Sequence, residues 1–328
     1  MQLPANLRQS LEEFSGSFKK SELESASIAI SERYRRLDKK DAMLGINSPS
    51  EAMAYGATRL PATYSAACNV IDVVMDCLPD FAPLSMMDVG AGPATASFAA
   101  LEYWPDIAKL TLVETNPHLL ELGKRLLKST HADVDSVWQQ AEITSLNFAN
   151  EPNDLVICGY VLNEIEQEKG QAALESTIKK LWNATGGILV IIEPGTPSGY
   201  RALMKIREQL IEEGAFIAAP CPHQSDCPIM DEAPKKWCHF SVRVERSKLH
   251  RQVKQDASLS YEDEKYSYIV ASRHKPSAPE YRIIGHPRGT KPVAADVCAN
   301  SGEAKHITIN KSHPKYKSFR KAKWGDGV

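Results

Sequence analysis

Between residue 84 and about residue 215 the chain alternates short apolar runs with helical periodicity, and this alternation decides most of what it can fold into. The runs are LSMMDVG, KLTLVETN, DLVICGYV and GGILVIIEPG, with SVWQQ as a shorter candidate strand. Between them, ATASFAALEYW, PHLLELGKRLLKS, QEKGQAALESTIKKLWN and GYRALMKIREQLIEE carry apolar residues at three- and four-residue spacing. Strands this apolar are buried on both faces, which requires a parallel sheet covered by helices on either side. Residues 1–80 read as helices, with Pro61 suited to a first turn. Beyond 215 the alternation stops. YSYIVASR (266–273) has the two-residue period of a half-buried strand, and YRIIGH, KPVAADVCA and KHITIN read as short strands between Gly and Pro turns. The predicted organisation is a helical region over 1–80 and a Rossmann-like α/β core over 81–218. A cysteine-rich loop with a basic segment and the final core strands follows over 219–275, then a small β unit with a basic tail over 276–328.

The first apolar run ends in MMDVGAGPATAS, which puts Asp88, Gly90, Ala91 and Gly92 at a strand-to-helix turn. Glycines there tolerate positive φ and let the backbone approach a ligand. Glu114 closes the next strand, where an acidic side chain can accept both hydroxyls of a ribose. Glu142 follows the third strand, where a polar group can approach an adenine. The loop lacks the third glycine of the dinucleotide fingerprint, and Pro93 sits where a diphosphate needs a backbone N–H. A sulfonium ligand needs no such donor, so the pattern fits S-adenosylmethionine better than a dinucleotide. At the carboxyl end of the fourth strand, where open α/β sheets bind ligands, stand Tyr160, Asn163 and Glu164.

Cysteine usage poses a separate question. Seven cysteines in 328 residues is an odd number and too few for a disulfide scaffold. Cys68, Cys77 and Cys158 lie in apolar surroundings and read as core. Cys221, Cys227 and Cys238 crowd into PCPHQSDCPIMDEAPKKWCHF, with spacings that match no zinc-ribbon knuckle, while proline after a cysteine is familiar from iron–sulfur loops. Zinc and an iron–sulfur cluster both stay open on this pattern, and His223 or His239 could replace one thiolate. Net charge is only −2, yet residues 235–254 and 281–328 are strongly basic. That asymmetry points to an acidic polymer, RNA before DNA. Lys235, Lys236, Arg243, Arg246, Lys248 and Arg251 are the candidate phosphate contacts, interleaved with Trp237, His239, Phe240 and His250 for stacking on bases. No apolar run reaches the roughly 18–20 residues of a membrane span.

Four blocks together, YGATRLPATYSA (55–66), MMDVGAGPATAS (86–97), VICGYVLNEI (156–165) and CPHQSDCP…KKWCHFSVRVERSKLH…EDEKYSYIVASR (221–273), resemble the methyltransferase-like family associated with the small ribosomal subunit. The resemblance covers roughly residues 30–300. It implies a class I S-adenosylmethionine-dependent methyltransferase fold and association with the small subunit or its rRNA. In the family's mitochondrial branch four cysteines hold a [4Fe–4S] cluster. Carried over by motif, these fall on Cys221, Cys227 and Cys238, with Cys298 as the fourth. Zinc remains the alternative metal, and neither a membrane nor DNA is expected as a partner.

The chemistry itself is less determined. No Asn/Asp-Pro-Pro-aromatic loop follows the fourth strand, so amino methylation of a base has no motif here. Tyr160, Asn163 and Glu164 are the candidate catalytic groups, although Glu164 could equally cap the next helix or hold Arg59 or Tyr64. The functional expectation is a methyltransferase-like protein acting on or binding the small subunit in ribosome assembly or translation. The alternatives are a non-catalytic assembly factor that keeps the cofactor pocket and a zinc-binding small-molecule methyltransferase. The first residues, MQLPANLRQSLEEF, have no signal-peptide core, and Glu12 and Glu13 argue against a transit peptide. This yields the expectation of a bacterial cytoplasmic protein, with the mitochondrial matrix disfavoured.

Overall fold

The structure is a computed structural model that describes residues 2–36, 45–146, 151–230, 235–254 and 259–328. The chain divides into two compact units, one built from residues 1–68, 87–146 and 242–264, the other from 69–86, 147–241 and 265–328. Among the described residues no helix is long and apolar enough to cross a membrane.

The first unit holds α1 (Ala5–Ser15), α2 (Lys20–Arg36), α3 (Pro49–Thr58) and the start of α4 (Leu60–Cys77). It continues through most of β1 (Ser85–Val89), then α5 (Thr95–Tyr103), β2 (Lys109–Glu114), α6 (Pro117–Thr130) and β3 (Asp135–Gln140). β7 (Phe240–Glu245), α10 (Lys248–Val253) and the start of β8 (Tyr261–Ser272) complete it. Local signals explain its helix starts. Asn116 accepts from the amides of His118 and Leu119 at 3.0 and 3.2 Å, with Pro117 in the first turn. Ser48 caps α3 in the same way through Glu51 N. α6 then buries Leu119, Leu120, Leu122, Leu126 and Leu127, and Gly123 lets it approach closely, because a Cβ there would lie 3.1 Å from the Pro93 backbone.

The second unit carries β4 (Asn153–Gly159), α7 (Leu162–Lys169), α8 (Gln171–Asn183), β5 (Thr185–Pro194), α9 (Pro197–Glu212) and β6 (Phe216–Ala219), with the rest of β8. QEKGQAALESTIKKLWN, one helix by periodicity, is two. Gly170 adopts φ +83° and ends α7, and α8 starts at the next residue.

The large sheet has the order β3-β2-β1-β4-β5-β8-β6, with β7 also paired to β8. β2 runs parallel to β3 and β4 parallel to β5, whereas β8 runs antiparallel to both β5 and β6. The nucleotide-binding order 3-2-1-4-5 is thus followed by a reversed strand inserted before β6. This is the Rossmann-like α/β architecture of class I S-adenosylmethionine-dependent methyltransferases.

A separate three-stranded antiparallel sheet in the second unit has the order β11 (Ala304–Ile309), β10 (Val293–Ala299), β9 (Tyr281–Ile283). Strand alternation gives it two different faces. Ile283, Val293, Ala295, Val297 and Ile309 pack on Tyr316 and Phe319 of α11 (Tyr316–Lys321). Arg282 and Cys298, direct cross-strand partners, lie on the opposite face. The basic segment from 311 onward is folded into this unit: Phe319 is fully buried, and Val328 exchanges both backbone hydrogen bonds with Tyr281.

Candidate functional site

The glycine loop of the first unit is held by two carboxylates. Asp88 is buried, and its Oδ2 accepts from Ser97 N at 3.0 Å and Ser97 Oγ at 2.7 Å. Burial pushes its carboxyl up to about 6, and the two bonds from Ser97 work against that rise. The loop amides of Gly90 and Ala91 both donate to Val113 O. Gly90 and Gly92 have φ of +72° and +54°, and Ala94 also enters the left-handed region. Nothing lies within 4 Å of a Cβ placed on Gly92, so its glycine answers to backbone conformation rather than to crowding. Glu114 accepts from Gly92 N and Asn116 N, both at 2.7 Å. Its expected ribose-binding oxygens are therefore already clamping the loop; Oε1 also accepts from Thr115 Oγ1 at 3.3 Å, which leaves a second acceptor position at Oε2. Burial raises the Glu114 carboxyl, while those amides favour its charged form. Glu142 lies exposed at the start of a short 3-10 turn after β3.

In the second unit β4 ends at Gly159, and Tyr160 follows with φ +63°. Asn163 and Glu164 lie in the first turn of α7, one step past the strand end where their sequence position put them. Glu164 is the acidic residue of that first turn. Glu193, at the end of β5, accepts from Val161 N and Leu162 N through Oε1 at 3.2 and 2.8 Å. It is fully buried, and burial pushes its carboxyl up to about 8. Its only local signal is an acidic residue closing an apolar run, and the reading of the sequence missed it. Arg59, in the first unit, is held by Glu264 through two bonds of 3.1 and 3.2 Å.

The second unit also brings four distant thiols together. Cys221, Cys227, Cys238 and Cys298 line one largely apolar recess that is partly open to solvent and has a cavity volume of about 30 Å³. Three come from the loop between β6 and β7, of which residues 231–234 lie outside the described residues. The fourth stands on β10. Among the described residues no three His, Cys, Asp or Glu side chains meet as a single metal ion requires. What the four thiols share is the lining of one recess. Tyr200 Oη lies 3.1 Å from Cys227 Sγ, and His223 Nε2 lies 3.3 Å from Cys298 Sγ. His223 Nδ1 contacts the Ser225 carbonyl at 3.1 Å, which makes Nδ1 the donor and leaves Nε2 of the neutral ring as an acceptor towards the thiol.

Two buried arginines flank the recess. Arg207 gives one guanidinium nitrogen to the carbonyls of His223 and Ser225, at 3.0 and 2.7 Å, and its Nε has no partner among the described residues. Arg282 donates to Pro220 O and Gly325 O, both at 2.9 Å, and lies 3.8 Å from Cys77 Sγ. Among the described residues the oxygen acceptors of both guanidiniums are backbone carbonyls. Burial pushes the thiols of Cys221 and Cys238 up and that of Cys298 up to about 12, while both guanidiniums pull Cys221 and Cys298 down. Free, Cys221, Cys238 and Cys298 are neutral thiols, and binding a cation releases their protons. Cys68, Cys77 and Cys158 are core residues, 1%, 3% and 0% exposed.

The candidate RNA contacts are divided between the two units. Lys235 and Lys236 are exposed in the second unit, whereas residues 243–251 belong to the first. There Arg243 is paired with Asp263 and lies over Tyr261, and Arg246 is held by Glu262 and the Leu259 carbonyl. Lys248 and Arg251 are exposed on α10. Phe240 and His250 are buried and unavailable for stacking.

A sequence model described as "Mitochondrial small ribosomal subunit Rsm22" matches residues 49–328. The chain belongs to the Rsm22 family. It is 24% identical over 298 residues to "Ribosome assembly protein METTL17, mitochondrial" of Homo sapiens, which covers 84% of this chain and 62% of that protein. It is 23% identical over 336 residues to "Rsm22-cox11 tandem protein 2, mitochondrial" of Schizosaccharomyces pombe, covering 88% of this chain and 44% of that one. This Rsm22-family chain therefore spans less than two thirds of either relative. Among solved structures it resembles the magnesium protoporphyrin IX methyltransferase of Synechocystis PCC 6803 with bound SAM, at TM-score 0.41 and 14% identity over 74% of this chain and 90% of that one. The relatives are mitochondrial proteins by name, and this overturns the expectation of a bacterial cytoplasmic protein with the mitochondrial matrix disfavoured. That expectation rested on the first residues of the chain, which carry no information about the compartment of the family.

Proposed function

We propose that this Rsm22-family protein binds S-adenosylmethionine and acts in assembly of the small ribosomal subunit through its rRNA, with Cys221, Cys227, Cys238 and Cys298 holding a [4Fe–4S] cluster. The observation that carries the proposal is the pair of buried guanidiniums, Arg207 and Arg282, whose oxygen acceptors among the described residues are all backbone carbonyls, beside four thiols that line one recess. Uncompensated buried cations are costly, and four thiolates around a metal centre supply the missing negative charge. Thiolates around one zinc stand about 2.3 Å from it and so within about 4 Å of one another. Ligands of a cluster are spread around a core of several atoms, and four thiols around a cavity fit that arrangement better. Bound there, the cluster would serve as a covalent tie between the cysteine loop and β10. Tyr200 would donate to the sulfur of Cys227, and the arginines would balance charge.

The cofactor reading is supported by the loop of Gly90, Ala91 and Gly92 and by its two anchors, Asp88 and Glu114, with Glu142 beyond β3. Tyr160, Asn163 and Glu164 are the proposed groups nearest to chemistry, and Glu193 sets the start of their helix.

Two measurements test the proposal. Anaerobically purified protein should be brown and carry about four iron atoms per chain, and colourless protein with stoichiometric zinc would replace the cluster by zinc. The protein should also co-sediment with small subunits, more strongly with S-adenosylmethionine. Transfer of labelled methyl groups to the subunit would assign catalysis, binding without transfer would assign a sensing pocket, and no co-sedimentation in either state would overturn the ribosomal reading.

A further inference from the structure

Four aromatic rings from three separated stretches of the second unit stand in a row. Trp237 stacks on His239 with centroids 5.1 Å apart and planes 26° apart. His239 meets Trp324 edge-on at 4.9 Å, and Trp324 meets His286 in the same way at 4.9 Å. Trp237, His239 and Trp324 are half-buried, and His286 is exposed. Apolar packing alone would not choose two indoles and two imidazoles. Each is a flat π surface, and a half-exposed row of such rings presents part of that surface to solvent.

Two further observations point to a ligand. The Trp324 indole N–H is buried with no hydrogen-bond partner among the described residues, a donor left for an acceptor that the chain does not supply. The Trp237 indole, by contrast, donates to Gly195 O at 3.1 Å, and Gly195 N is bonded to Lys265 O. Trp237 is thereby fixed beside a strand residue with an exposed ammonium. Lys235 and Lys323 are exposed one or two residues from the rings.

We infer that the row Trp237–His239–Trp324–His286, edged by Lys235, Lys265 and Lys323, is a docking surface for the unpaired bases of a single-stranded RNA segment. Every base has a π face to stack on such rings, and the lysines meet the phosphates between them. A duplex keeps its bases stacked inside and offers nothing to an indole. The inference deepens the proposed ribosomal reading and rests on it for the source of the RNA, but its surface differs from the basic stretch of the first unit.

The test uses the full chain. A 12-nucleotide oligouridine should quench tryptophan fluorescence, and a duplex RNA of equal length should bind much more weakly. Trp324→Leu should weaken oligouridine binding on the order of tenfold, and Lys265→Ala should lower the salt slope by about one. His286→Ala alters an exposed residue and guards against a folding failure in the other variants, and it should weaken binding several-fold with unchanged circular dichroism and metal content. Wild-type affinity in folded His286→Ala and Trp324→Leu would overturn the inference, as would a duplex or an acidic peptide binding as tightly as oligouridine. Ring-dependent oligouridine binding without co-sedimentation would remove the ribosomal reading and leave the surface. Co-sedimentation with ring-independent oligouridine binding would do the reverse.

Discussion

Replacing Arg282 with methionine separates a structural arginine from a counter-charge. The guanidinium is 2% exposed and gives its nitrogens to Pro220 O and Gly325 O, each at 2.9 Å. Its loss leaves two carbonyls short of a donor, at about 1–3 kcal/mol each. Removing a buried charge also returns a desolvation cost of several kcal/mol. In metal-free protein, where the thiols are neutral, the two effects oppose each other and the net change should be small. In loaded protein a third contribution appears. Arg282 is the cross-strand partner of Cys298, with Cβ atoms about 5 Å apart, and its charge pulls the Cys298 thiol's pKa down, so it attracts a thiolate there. At an effective dielectric constant of about 20 that attraction is about 3 kcal/mol. Arg282→Met should therefore lower metal affinity by about 100-fold while changing metal-free stability little. Chelator competition reads the first quantity, and urea unfolding of metal-free protein reads the second. Equal losses in both states would refute the counter-charge role and leave Arg282 as a clamp between the cysteine loop and the C-terminal segment.

Gly123→Ala would place a Cβ 2.4 Å from the Trp138 ring and 3.1 Å from the Pro93 backbone; thermal unfolding should report a loss of about 1–3 kcal/mol, and an unchanged midpoint would show that α6 can shift away. Glu114→Ala removes the acceptor of Gly92 N and Asn116 N, so calorimetry should record at least about a tenfold loss of S-adenosylmethionine affinity, and undiminished affinity would place the nucleoside elsewhere. Glu193 gives a pH signature. Its folded carboxyl, raised to about 8, holds a proton that the unfolded chain gives up near pH 4.3. The folded state therefore binds more protons across that interval, and stability should fall as pH rises, by about 1.4 kcal/mol per unit, levelling above pH 8. Denaturant unfolding of Glu193→Gln should lack this slope between pH 5 and 8, and an identical slope in the variant would assign it to other groups.

What was legible in the sequence was what is local. β1, β2, β4 and β5 follow from apolar runs, and α6 from Asn116, Pro117 and its leucines, because strand burial and helix capping are decided within a few residues. The glycine loop was legible for the same reason. Pairing across the chain was not. Arg59 finds Glu264 across 205 residues, and β8 enters the sheet reversed. The aromatic residues 237–240 look alike in sequence, yet Phe240 is buried and Trp237 and His239 are half-exposed. Composition counts charge without seeing its partner, so the ion pairs of Arg243 with Asp263 and of Arg246 with Glu262 could not be read from it.

The cysteines show where spacing stops and topology begins. Cys221, Cys227 and Cys238 lie in one loop, but the recess they line is finished by a residue on β10 and by an arginine on β9. Neither can arrive until the three-stranded sheet has formed, and that sheet also carries Gly325 and Val328 through Arg282 and Tyr281. A metal bound by all four cysteines is therefore linked to the folded state of the C-terminal segment, and by linkage it stabilises that segment as much as the segment stabilises it. Trp324 stands in the same segment and completes the ring row. Loss of metal should consequently loosen the proposed RNA surface without touching the glycine loop. Amide exchange of residues 316–328 should quicken on metal removal, while that of residues 88–97 stays as it was.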